Sequence, residues 1–207
     1  MQIPVRLSQL ENKRVVISHQ DLPGVNRGLY LRSLFPRITA LSPNLHKNAV
    51  MKIQIWSIGK DHEPYVKPGI HDFTKRISKY YPVEWNIIPV PKNAGMLSEM
   101  DLKKKEGETI SDWLKKDDYM VALDEKATEL TSVGLADFIQ KRANESVKTL
   151  VFLIGGAFGL DERILKQARY SLSLSKLTFP HQLVRLILSE QLYRACTIIR
   201  NEKYHHE

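Results

Sequence analysis

The chain has 207 residues, with 43% hydrophobic and 26% charged positions, a composition that excludes wholesale disorder and allows a real core in one or two domains. Its single cysteine, Cys196, excludes an intramolecular disulfide framework and a multi-cysteine zinc site, and fits a reducing, cytoplasmic compartment; no apolar run is long enough to span a membrane. The formal charge of +8 favours an anionic partner without naming one.

The charge is unevenly placed. Residues 1–50 hold seven Lys and Arg against two acids, which is +5 of the total, and the remaining 157 residues carry +3. The first fifty have scattered prolines (Pro4, Pro23, Pro36, Pro43) and no sustained period of 2 or 3.6. Three readings compete there: an over-extended start with Met51 as the initiator, a targeting segment, and a basic arm that adds RNA contacts. The segment is expected to be a disordered extension or a mis-assigned start, outside the functional domain at 51–207.

From Met51 the pattern becomes regular. Residues 52–58 read as a strand. Ile70, Phe73, Ile77 and Tyr80 stand at helical spacing and predict an amphipathic helix over about 65–80. Val83, Trp85 and Ile87 alternate, predicting a strand that ends near Val90, followed by a polar loop at 91–96. Residues 97–115, rich in Lys, Glu and Leu, read as a charged surface helix. Tyr119–Asp124 is a short apolar run of the buried-strand kind. A helix is predicted over 132–144 with Ser132 as its N-cap. Thr149–Ile154 is the strongest buried strand and runs straight into Gly155-Gly156-Ala157-Phe158-Gly159. A short helix over about 161–169, a brief strand at Leu172 and Leu174, and a long apolar helix over 181–199 complete the chain, with Pro180 just before the last helix. Alternation of strand and helix predicts one α/β domain with a mostly parallel sheet of five or six strands and helices on both faces.

In an open parallel sheet, ligands bind beyond the carboxyl ends of the strands. Three such ends carry unusual residues: Leu123-Asp124-Glu125, Gly155 to Gly159, and Ser175 to His181. The glycine cluster matches neither the dinucleotide nor the Walker spacing, and alone it reads as a tight strand-to-helix turn. The loop before Pro180 alone reads as an ordinary connection. His62 and His71 read as surface residues. His205 and His206 have no third ligand nearby, so no metal site is expected. Ser175 and Ser189 lack the nucleophile-elbow pattern of hydrolases. Glu190 and Arg194 stand four apart and read as a simple pair, and Cys196 reads as a core residue.

Taken together the motifs resemble a family. In order they are Met51-Lys52-Ile53-Gln54, Leu123-Asp124, Leu153-Ile154-Gly155-Gly156-Ala157-Phe158-Gly159-Leu160, Ser171 through His181, Leu183-Val184-Arg185, Glu190 through Ala195, and Tyr204-His205-His206-Glu207. This run is similar to the RlmH family, SPOUT-class methyltransferases of bacterial large-subunit rRNA. The resemblance covers 51–207 and none of 1–50, and the family's chains begin where Met51 stands. It implies an α/β domain with a deep C-terminal trefoil knot, S-adenosylmethionine as cofactor, a homodimer, and methyl transfer to N3 of a pseudouridine in 23S rRNA on the assembled ribosome. Carried over by position, the cofactor residues are Leu123, Gly155 and Gly156, and Ser175, Lys176, Leu177, Thr178, Phe179 and Pro180.

Removing the N3 proton calls for a nearby base or a charge that stabilises the anion. His181 or one of His205 and His206 is the candidate base, and Arg185 and Arg194 are candidates to hold phosphates or to stabilise the deprotonated ring. Arg194, Tyr204 and His206 are the candidate RNA contacts, Tyr204 by stacking on an unpaired base. His206 stands where the family often has Arg or Lys, which weakens a phosphate contact there. The rivals are a ribosome-binding factor that keeps the knot but has lost turnover, a tRNA methyltransferase of the same class, and a generic nucleotide-binding α/β protein.

Overall fold

The computed structural model describes residues 51–205. The expectations made for 1–50 and for His206 lie outside the described residues. Strands β1 (Lys52–Ile58), β2 (Val83–Ile88), β3 (Asp118–Glu129), β4 (Thr149–Ile154) and β5 (Tyr170–Ser173) form one sheet in the order β2-β1-β4-β3-β5. Every neighbouring pair is parallel. The crossovers are α1 (Lys67–Ile77), α2 (Glu99–Trp113), α3 (Ser132–Asn144) and α4 (Glu162–Gln167), and α5 (His181–Ile199) closes the chain.

The period of two along each strand divides the core. Ile53, Ile55, Val121, Leu150, Phe152 and Ile154 face α1, α3 and α5. Trp56, Ile58, Met120, Ala122, Val151 and Leu153 face α2 and α4. Strands covered on both faces must be apolar at nearly every position, and β4 is buried at five of its six. Helix α5 has no exposed residue along its whole length. A helix apolar on more than one side has that need for cover.

The structure moves several expected boundaries. Helix α1 is shorter than the 65–80 span, because the chain turns at Ser78 ahead of Pro82. The N-cap of α3 is Thr131, whose hydroxyl accepts from Gly134 N at 3.0 Å, and not Ser132, whose hydroxyl donates to Gln191 on α5. Strand β3 continues past Asp124 to Glu129, and Leu174 falls just beyond β5. Helix α2 is not a pure surface helix: Leu102, Glu106, Gly107 and Ile110 are buried. Its start is fixed by Ser98, whose hydroxyl accepts from Asp101 N.

Candidate functional site

The carboxyl ends of β3, β4 and β5 meet in one cleft of about 500 Å³, a size suited to a small-molecule ligand. Each wall has a local cause. On β3, Leu123 and Thr128 both pair with Leu172, so Asp124–Ala127 are pushed out of the sheet as a bulge. The Asp124 carboxylate accepts from Lys126 N at 3.0 Å and shapes that bulge. After β4, Gly159 N donates to Gly156 O at 2.9 Å and Gly159 takes a φ of +80°, so the chain folds back sharply. A Cβ on Gly155 would stand 2.9 Å from the backbone of Gly159, so only glycine fits this turn. After β5, Leu177 N donates to Ser175 Oγ at 3.0 Å, and Thr178 Oγ1 donates to Glu125 on the β3 bulge at 3.2 Å. That last bond joins two of the three walls.

The lining is apolar at its base, with Leu123, Leu160, Leu172, Leu174 and Val184, and polar at its rim. Phe158 and Leu177 stand exposed at its mouth. Of the residues singled out in the sequence, Leu123, Gly155, Ser175, Leu177, Thr178, Phe179 and His181 line the cleft together. Gly156, Lys176 and Pro180 belong to the same turns but do not line it. Among the described residues, no group of three or more His, Cys, Asp or Glu is placed to hold a metal ion. No helix there is long and apolar enough to cross a membrane.

His181 opens α5 and is half-buried. Burial and the nearby Arg185 cation push its imidazole below the usual histidine range, while a bond to the Gly155 backbone pulls partly the other way. Arg185, one turn on, is 1% exposed and does not line the cleft. Its Nε donates to Ser57 Oγ at 2.9 Å, Nη1 to Lys60 O at 2.9 Å and Nη2 to Ile58 O at 3.4 Å. It ties α5 to the carboxyl end of β1 and is not a free cation for phosphate.

His62 corrects the expectation of a surface residue. It is half-buried, packed edge-on against Trp85, with Nδ1 3.3 Å from Arg185 Nη1. A guanidinium can only donate, so Nδ1 accepts and the ring proton sits on Nε2. Burial, then Arg185, lowers its pKa. Only Ser57, a polar residue inside an apolar strand, signals this cluster in the sequence.

The remaining candidates lie on the last turns of α5 and in the tail beyond it. Arg194 Nε donates to Glu190 at 3.0 Å, and the Tyr204 hydroxyl donates to the same carboxylate at 3.2 Å. The Arg194 guanidinium lies over the Tyr204 ring at 4.7 Å, and that ring meets Tyr193 edge-on. His205 is half-buried, and its Nδ1 has no hydrogen-bond partner among the described residues. At 1.5 Å of rise per residue, thirteen residues of helix put Arg194 roughly 20 Å along α5 from His181. One chain therefore does not bring the tail residues to its own cleft.

The family model described as a predicted SPOUT methyltransferase matches residues 51–205. The chain is 48% identical over 156 residues to the ribosomal RNA large subunit methyltransferase H of Cytophaga hutchinsonii, covering 75% of this chain and 100% of that protein. It is 45% identical over 157 residues to the protein of that name from Parabacteroides distasonis, covering 76% and 100%. The Flavobacterium johnsoniae protein of that name is 47% identical, again covering 76% and 100%.

Proposed function

Because this chain belongs to the SPOUT methyltransferase family, we propose that it is an S-adenosylmethionine-dependent rRNA methyltransferase acting on N3 of a pseudouridine in 23S rRNA of the assembled ribosome. The carrying observation is the convergence of three strand ends and His181 on one cleft. The relatives' names point to large-subunit rRNA as the substrate. A C-terminal trefoil knot, the homodimer and the cytoplasm belong to the same proposal.

The cleft fits the cofactor by its chemistry. Leu123, Leu172, Leu174 and Val184 offer an apolar seat for a purine, and the glycine turn lets backbone come close. Asp124 and Glu125 at the rim offer carboxylates to a cationic ligand. When bound, S-adenosylmethionine supplies an already activated methyl group.

The chain's own residues then hold and deprotonate the target. His181 faces the cleft and is held neutral by burial and Arg185, so its ring can accept the N3 proton. Arg185 acts through position: it fixes the start of α5 against β1. The Glu190, Arg194 and Tyr204 cluster offers an aromatic face and charge to RNA, and His205 adds a ring beside it. Since Arg194 lies about 20 Å from His181 along α5 and Tyr204 packs against Arg194, the tail that serves a cleft belongs to a second copy.

The test uses the full chain and labelled S-adenosylmethionine with three acceptors: ribosomes lacking the modification, free 23S rRNA and bulk tRNA. Label entering ribosomes alone, mapped to a pseudouridine, is the expected result. Cofactor binding with no transfer to any acceptor overturns the enzyme reading and favours a ribosome-binding factor. His181→Ala should lower turnover by about a hundredfold at unchanged cofactor affinity; unchanged turnover removes His181 as the base.

A further inference from the structure

Helix α2 buries a carboxyl group behind the glycine turn. Leu102, Glu106 and Ile110 stand at i, i+4 spacing on its inner stripe, so Glu106 is placed where an apolar residue would be expected. It is 4% exposed, and its Oε1 has no hydrogen-bond partner among the described residues. Its carboxyl lies against Gly156: a Cβ there would stand 2.6 and 2.8 Å from the two carboxyl oxygens. Beside it, Gly107 packs on Asp161 and Ile164 at the start of α4.

The charged groups around it do not neutralise it. Lys103, one turn earlier on α2, lines the cleft. Asp161 at the start of α4 is bonded to Arg163 at 2.9 Å. The glycine turn brings no titratable side chain. Burial alone pushes the Glu106 carboxyl above the usual range, and no cation draws it back.

We propose, resting on the methyl-donor reading of the cleft, that Glu106 is a positioning residue: its carboxyl fills the space beside Gly156 and holds the Gly155–Gly159 turn in the shape that forms the cleft wall. Within that turn the backbone makes one bond of its own, from Gly159 N to Gly156 O. Gly155, Ala157, Phe158 and Gly159 all line the cleft, so a shift of the turn alters the seat directly. A protonated carboxyl is tolerated in this buried contact. An ionised one demands water or a cation, and the turn is the neighbour that would have to move to admit either.

The experiment titrates S-adenosylmethionine into the full chain and its Glu106→Gln and Glu106→Ala variants from about pH 4.5 to about pH 7.5, a window that rises from the ordinary carboxylate range. Glu106→Gln keeps the shape without the ionisation. It should bind within about threefold of the native chain at the low end and hold that affinity to the high end, while the native chain weakens about tenfold as pH rises. Glu106→Ala should bind about tenfold more weakly throughout with an unchanged circular dichroism spectrum. Parallel pH curves for the native chain and Glu106→Gln, or a Glu106→Gln variant as weak as Glu106→Ala, overturn the proposal. If the native chain binds no S-adenosylmethionine at any pH, the methyl-donor reading fails by itself. The positioning role is then decided by amide exchange at Gly159: faster in Glu106→Ala alone supports it, and equal rates in all three chains overturn it.

Discussion

Arg185 and Glu106 are both buried ionisable residues, on helices that cover opposite faces of one sheet, and they are treated in opposite ways. Arg185 cannot shed its charge, so it is surrounded by acceptors: a hydroxyl, two carbonyls and an imidazole at the carboxyl end of β1. Glu106 can take up a proton, and it is left with an unpartnered oxygen against a glycine. A permanent charge needs a built cradle, and that cradle locks the start of α5 to β1. A titratable group can sit in a buried contact, and its shape then matters more than its charge.

The contrast can be broken by four changes. Arg185→Met leaves Ser57 Oγ and the carbonyls of Ile58 and Lys60 without their donor, and should cost about 3–5 kcal/mol, read from the urea midpoint. A loss under about 1 kcal/mol would mean that the cradle is not specific to a cation. Gly156→Ala drives a methyl into the Glu106 carboxyl and should cost about 2 kcal/mol. Combined with Glu106→Ala, which vacates that space, it should recover at least about half of the loss; strict additivity would show that the two residues do not press on each other. Ser57→Ala removes one acceptor from Arg185 and should cost about 1.5 kcal/mol, without changing the pH dependence of stability.

The smallest change is Glu106→Gln, and it is the most specific. The folded carboxyl has a raised pKa, so its contribution is fully present below the unfolded value and is lost as pH rises through the folded one. The native chain should therefore lose stability relative to Glu106→Gln as the pH rises from the ordinary carboxylate range, by about 1 kcal/mol or less. Melting curves across that range that run parallel for the two chains would show Glu106 to be ordinary.

Much of this was readable in the residues. The apolar run of β4, the recurring apolar positions of β1, and α5 with its bounds at His181 and Ile199 follow from burial of these elements on more than one side. The three strand ends were legible too, because their polar and glycine residues interrupt those runs. Less visible was anything set by packing between distant elements. Arg185 lies in the apolar stretch Leu183–Leu188 and reads in the sequence as a charge for phosphate or for the deprotonated ring; only its place beside Ser57, 128 residues away, makes it a buried tie. Glu106 is masked by the Lys- and Glu-rich composition of α2, although the Leu102, Glu106, Ile110 spacing marked it. The extent of β3 was also hidden, since its outer half is polar and is added to the sheet only after the bulge.

The central claim is that three strand ends form one methyl-donor site. Hydrogen exchange of the full chain with and without saturating S-adenosylmethionine tests it directly. The expected result is slowed exchange in Leu123–Lys126, Gly155–Leu160 and Leu174–His181 together, with no change at the opposite end of the sheet around Lys115–Asp118 and Gln167–Arg169. Protection at that opposite end, or in only one of the three turns, would contradict the account.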